Sequence, residues 1–255
     1  MRDLHLAVAR GVATLTIDRP AARNALAPRT MAELDHALDD LMSRRPRVLV
    51  IRGAGDKAFC AGGDLKELET MRSAQHAAAM AQQMRGTLDR LTTLKIPVIA
   101  AINGDAFGGG MELALACDFR VAAAHARIGL TQIKLGLMPA WGAAERLAAM
   151  VGRGRALHIL LDGAVMTAAE AMRAGLLEEV VPSENFEARI NDLARGIAAA
   201  PPVAVAGIKR SIDAVRSHRN PETAASGIAS FTKAWTAPSH WKAVQEMERK
   251  RASRK

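Results

Sequence analysis

Residues 97–117 read PVIAAINGDAFGGGMELALAC, and this stretch decides the class of fold. Val98 to Ile102 is a short apolar run, the pattern of a parallel strand buried on both faces. Asn103-Gly104 breaks it. Gly108-Gly109-Gly110 then introduces MELALAC, a run rich in helix formers. Strand, glycine-rich loop and helix in that order point to right-handed crossover units around parallel sheet.

The same order occurs upstream. Arg47 to Arg52 encloses the apolar strand VLVI, the loop GAGDKAFCAGGD follows, and helical sequence runs to Leu94. Before it, Leu4–Ala9 and Val12–Ile17 alternate across an Arg10-Gly11 turn and read as a hairpin. An amphipathic helix is expected from Pro28, with Met31, Leu34, Leu38, Leu41 and Met42 at helical spacing. Phe119–Ala122 and Arg127–Gly129 are shorter strand candidates. From Glu145 the pattern is nearly all helical: Thr167 to Glu170 is a capping box, and Gly175 stands where that helix would close. Glu179–Val181 is one more strand, and only helices are expected beyond Pro201-Pro202. The chain thus reads as an α/β core over residues 1–200 and a helical region over 201–255.

No apolar run approaches the roughly 20 residues of a membrane helix. The N-terminus alternates like a strand and lacks the apolar stretch of a signal peptide. Cys60 and Cys117 are far apart and have no metal-ligand spacing, so a reducing, cytoplasmic setting without a metal is expected. The formal net charge is +9, and part of the excess lies in the tail Arg249–Lys255. A solvated helix end, a site for an anionic ligand and a nucleic-acid contact compete to explain it. Nucleic acid is the least favoured, because aromatics make up 3% of the chain, Tyr is absent, and stacking platforms are few.

Two glycine-rich loops follow successive strands and enter helices: Phe59-Cys60-Ala61-Gly62-Gly63-Asp64 and Gly104 to Glu112. Ligands bind at the carboxyl ends of parallel strands. Two such loops side by side can aim two backbone N–H groups at one oxygen, which is an oxyanion hole. A dinucleotide site is disfavoured, since no G-x-G-x-x-G follows the first strand and the P-loop lysine is missing.

Read together, DRPAARNAL, AFCAGGD, AAINGDAFGGGMELALACD and LGLMPAWGAAERL resemble the enoyl-CoA hydratase/isomerase (crotonase) family, in order from Leu4 to Val181. The resemblance implies a crotonase-like spiral of ββα units with a helical C-terminal trimerisation region, assembled as a homotrimer or hexamer. It implies an acyl-CoA enzyme that stabilises a thioester enolate, nominally a hydratase of fatty-acid metabolism. Coenzyme A thioester would be substrate, with no permanently bound cofactor. The oxyanion hole is expected at the N–H groups of Ala61 and Gly109. Arg23, Asn24, Ala25 and Leu26 are expected to flank the nucleotide, and Ala61, Gly63, Asp64 and Leu65 to line the adenine and pantetheine. Lys250 and Arg251 match a terminal pair able to reach a neighbouring subunit's coenzyme A phosphates.

The first of the family's two catalytic glutamates corresponds to Glu112, three residues after Gly109 and so turned toward the same helix end. The second falls at Gln132, whose amide can orient a water or a carboxylate but cannot exchange protons at neutral pH. Decarboxylation of a malonyl-type acyl-CoA, such as ethylmalonyl- or methylmalonyl-CoA, needs no base to form the enolate and is the main alternative. An isomerase, weakened by the loss of the second acid, and a non-catalytic acyl-CoA binding protein are further ones. Trp141 reads either as a wall of the acyl pocket or as core filler. Lys134, His125 and Asp162 read as surface residues.

Overall fold

The structure, a computed structural model, describes residues 1–216 and 221–253. It begins with β1 (Leu4–Ala9) and β2 (Val12–Ile17), joined through Arg10 and Gly11, both at positive φ. Helix α1 (Pro28–Ser43) precedes three successive units. The first holds β3 (Val48–Gly53), β4 (Ala58–Cys60), α2 (Leu65–Leu68) and α3 (Ala74–Thr92). The second holds β5 (Val98–Ile102), β6 (Asp105–Phe107) and α4 (Gly109–Leu115). The third holds β7 (Phe119–Ala123), β8 (Arg127–Gly129), α5 (Ala143–Val151) and α6 (Arg153–Asp162). Then come β9 (Met166–Thr167), α7 (Ala168–Arg173), β10 (Glu179–Val181) and α8 (Phe186–Ala199). The chain continues with α9 (Pro202–Arg216), α10 (Pro221–Trp235) and α11 (Pro238–Ala252).

Each unit gives one strand to each of two sheets. The larger sheet has the order β1-β2-β3-β5-β7-β10 and is parallel from β2 onward. The smaller has the order β4-β6-β8-β9, antiparallel only at β9. This repeated pair of strands followed by helix is the ββα spiral expected from the resemblance. Period-2 alternation splits the large sheet's side chains between two cores. Leu49, Ile51, Val98, Ala100 and Ile102 share one core with Leu34 and Leu38 of α1 and Met84 and Leu88 of α3. Val48, Val50, Ile99, Ala101 and Val121 share the other with Phe186, Ile190 and Ala194 of α8.

The chain leaves one sheet for the other at a fixed point. Asn103, 3% exposed, donates from Nδ2 to Gly53 O (2.8 Å) and accepts from Gly53 N–H (3.0 Å) at Oδ1. It replaces ladder bonds where β3 and β5 end.

Three expectations change. The loops GAGDKAFCAGGD and Gly104–Gly110 each contain a strand, β4 and β6, too short to display a period. The helical run to Leu94 is two helices with a break between Leu68 and Ala74. Met42 is 50% exposed, because the buried stripe of α1 ends at Leu41. The capping box is as read: Thr167 Oγ1 accepts from Glu170 N–H, and Thr167 N–H donates to the Glu170 carboxylate. No helix of the described residues is long and apolar enough to cross a membrane.

Candidate active site

The two glycine loops meet because their backbones have no side chains between them. Gly62 has φ 97°, a conformation that favours glycine, and a Cβ there would stand 2.9 Å from Phe107 O and 3.1 Å from Gly109 N. A Cβ on Gly110 would run into the Cys60 carbonyl. Between and below the loops lies a cavity of about 100 Å³. Ala61, Gly63, Leu65, Gly109, Glu112 and Gln132 are all in its lining, so six of the expected site residues share one space.

Which N–H groups are free follows from the pairing. Leu26 forms a parallel bridge with Gly63: Leu26 N–H donates to Gly62 O (2.7 Å), and Asp64 N–H donates to Leu26 O (3.0 Å). In such a bridge the middle residue's own N–H turns away from the partner. Gly63 N–H and Gly109 N–H have no hydrogen-bond partner among the described residues, and both residues line the cavity. Ala61, expected to supply one donor, is corrected on this point, since its N–H donates to Arg23 O at 3.1 Å. Gly63 N–H, on the same loop, is free among the described residues.

Glu112 lies one turn into α4 and is 3% exposed. Its Oε2 accepts from Trp141 N–H (2.8 Å) and Ala143 N–H (3.2 Å), and its Oε1 accepts from Gln132 Nε2 (3.1 Å). Burial pushes its pKa up to about 7, while the Ala143 and Trp141 N–H groups, the Arg146 charge and the Gln132 amide pull the other way. A carboxyl so poised can give or take a proton near neutrality. The Gln132 Oε1 is buried without a partner. Burial pushes the Cys60 and Cys117 thiols up to about 12, so neither offers a thiolate at neutral pH.

The other expected residues divide. Arg23 and Asn24, both at positive φ, line a separate pocket with Lys57 and Gly55, and Arg23 pairs with Asp105. The Asn24 side chain is spent inside the protein, donating to Ala54 O (3.0 Å) and Ala58 O (2.7 Å). Ala25 and Leu26 are buried. The Asp64 carboxylate pairs with Arg19 at 3.0 Å rather than lining the cavity. Lys250 is exposed on α11 and lines neither pocket; the side chain of Arg251 lies outside the described residues. His125, Lys134 and Asp162 are exposed, as read. Trp141 serves both of its readings: it is 5% exposed, and a Cβ on Gly109 would overlap its ring.

Sequence reasoning missed the walls of the cavity that come from α10, Phe231 and Trp235. A signal existed, for in a chain with five Phe and three Trp the sequence places Phe231, Trp235 and Trp241 close together. No group of three or more His, Cys, Asp or Glu that could hold a metal occurs among the described residues.

Two unpartnered N–H groups and a buried carboxyl lining one cavity make a site able to polarise a carbonyl and move a proton beside it. Residues 7–253 match the family model for enoyl-CoA hydratase/isomerase. The short-chain-enoyl-CoA hydratase of Clostridium acetobutylicum is 36% identical over 79% of this chain and 77% of its own. The mitochondrial methylglutaconyl-CoA hydratase of Mus musculus is 37% identical over 80% of this chain and 66% of its own. The crystal structure of enoyl-CoA hydratase from Bacillus anthracis superposes with a TM-score of 0.80 at 33% identity, covering 97% of this chain and 96% of that one. The chain belongs to the enoyl-CoA hydratase/isomerase family, has its crotonase fold, and is an acyl-CoA enzyme.

Proposed function

We propose that this chain is a lyase that adds water to a short, uncharged 2-enoyl-CoA thioester, with Glu112 as its single proton carrier. The observation that carries this reading is the buried Glu112 carboxyl, poised near pH 7, in the same cavity as the free N–H groups of Gly63 and Gly109. The thioester oxygen accepts from those two N–H groups, which favours charge on it. Glu112 takes a proton from water as the hydroxide adds at C3. The enolate so formed takes that proton back from Glu112 at C2, so that one water is added in full. Gln132 Oε1, without a protein partner, can accept from the water and orient it.

Phe231, Trp235, Met80 and Trp141 wall the cavity, which supports a short acyl group. No Lys, Arg or His is in the lining described, which supports an uncharged one. A second carboxylate, as in a methylglutaconyl group, would be desolvated without a partner. Glu112→Gln is expected to lower crotonyl-CoA hydration by about 10²–10⁴-fold while leaving binding measurable by calorimetry. Unchanged turnover in that variant would reject the reading. Turnover that vanishes with binding retained also excludes the non-catalytic binding protein.

Decarboxylation is a second reading, favoured by one observation: the side chain beside Glu112 is the amide of Gln132 and not a second acid. A malonyl-type carboxylate there loses carbon dioxide to give the enolate directly. Crotonyl-CoA and ethylmalonyl-CoA assayed on one preparation separate the two, since hydration at ordinary enzymatic rates removes the decarboxylase.

The same reading extends to assembly. Val203, Ile208 and Ile212 of α9 are 84%, 63% and 57% exposed, which supports a homotrimer or hexamer formed through the helical region 201–255. A monomeric mass by light scattering would reject it. Unpaired Cys60 and Cys117 suit a cytoplasmic setting. Coenzyme A enters as part of the substrate, with Arg23, Lys57 and, in an assembly, Lys250 and Arg251 as cations for its phosphates.

A further inference from the structure

We propose that Arg146 is a positioning residue: it holds the Trp141–Ala143 turn whose two N–H groups seat the Glu112 carboxylate. The inference rests on Glu112 being the proton carrier and adds the device that sets it.

Arg146 lies on α5 and is 8% exposed. One guanidinium nitrogen donates to Trp141 O at 2.7 Å, and the other donates to Asp89 Oδ1 of α3 at 2.7 Å. Asp89 is itself held by Arg85 Nε at 3.1 Å, and Arg85 donates to Glu145 at 2.8 Å. A line of bonds therefore runs from α3 through Arg146 to the carbonyl of Trp141. The N–H groups of Trp141 and Ala143 end it on Glu112 Oε2. Gly142, at φ 97° between them, is in contact with the guanidinium: a Cβ there would stand 2.6 Å from Arg146 Nη1.

Burying an arginine is costly even when it is paired, and a turn could pack here on apolar side chains alone. What the guanidinium supplies is a planar fork that fixes a carbonyl and a carboxylate at once. Arg146 acts on Glu112 through the backbone, with no hydrogen bond to it. Arg146 is also a charged group whose field lowers the Glu112 pKa, and the Gln132 side chain that meets that carboxyl is an uncharged amide. Around Arg146 itself stand Asp89 and Arg85 from α3 and Glu145 from α5.

The test is the pH dependence of kcat for Arg146→Lys and Asp89→Asn beside the wild type. Lysine keeps the charge but loses the fork, so any shift reports the turn rather than the field. Asp89→Asn, which releases the guanidinium from α3, decides the matter if Arg146→Lys does not fold. The expected result is a kcat lowered about 10- to 100-fold with KM within about threefold, and a Glu112 limb moved to higher pH, because loosened N–H groups favour the carboxylate less. A limb unmoved in the folded variants, with kcat lowered only in proportion to folded protein, would overturn the proposal. Retained turnover in Glu112→Gln would instead overturn the reading beneath it.

Discussion

Glu112 accepts hydrogen bonds from three donors yet keeps a pKa of about 7, because burial outweighs them. That balance has a cost in stability. The folded value stands above the ordinary 4.5, so the fold binds this proton more tightly than the unfolded chain does. The stabilisation is whole below about 4.5 and is lost as pH rises to about 7, by about 3 kcal/mol at most. Glu112→Gln has no proton to lose. Denaturant unfolding should show it gaining on the wild type between pH 4.5 and 8; a difference constant with pH would contradict this. Gln132 can serve both states of its neighbour, donating Nε2 to the carboxylate or, turned over, offering Oε1 to the acid. Gln132→Glu restores a second proton carrier and is expected to raise crotonyl-CoA hydration at least about tenfold, checked by the loss of enoyl absorbance; a slower variant would mean that the amide has a role a carboxyl cannot fill. Glu112 and Gly109 were legible in the sequence, since a three-residue helical spacing ties them. Gly63 was not. Ala61 and Gly63 look alike in a loop, and only the bridge to Leu26 and the Arg23 carbonyl reveal which N–H is taken.

At the scale of elements, the site depends on two backbones approaching more closely than side chains permit. Gly109→Ala would place a methyl in the Trp141 ring, which is packed at 5% exposure. The expected outcome is about 1–3 kcal/mol of lost stability with kcat falling further than the folded fraction, measured by thermal unfolding and steady-state kinetics. A variant with unchanged kcat would mean that Trp141 yields freely. The long strands β2, β3 and β5 were readable because their runs of β-branched and apolar residues span five or six positions. Of the second sheet only β8, Arg127–Gly129, was read as a strand; β4, β6 and β9 have two or three residues each and are defined by partners rather than by pattern.

Over the whole molecule, the helical region closes the cavity instead of standing apart from it. Phe231 and Trp235 of α10 wall the site, and Trp235 Nε1 donates to Met71 O at 2.9 Å, just before α3. The sequence indicated helices here but not where they would lie, because the packing of α10 on α3 joins segments remote in the chain. Trp235→Ala is expected to favour longer acyl groups, raising the octenoyl-to-crotonyl ratio of kcat/KM about tenfold; an unchanged ratio would place the end of the acyl pocket elsewhere.

The central claim is that Gly63 and Gly109 stabilise a thioester enolate whose proton passes through Glu112. Deuterium incorporation at C2 of butyryl-CoA, followed by proton NMR in D₂O, tests it most directly, because it needs neither hydration nor decarboxylation. The account predicts exchange with the wild type and its loss, with binding retained, in Glu112→Gln. Butyryl-CoA that binds the wild type without exchanging, or exchange undiminished in the variant, would contradict it.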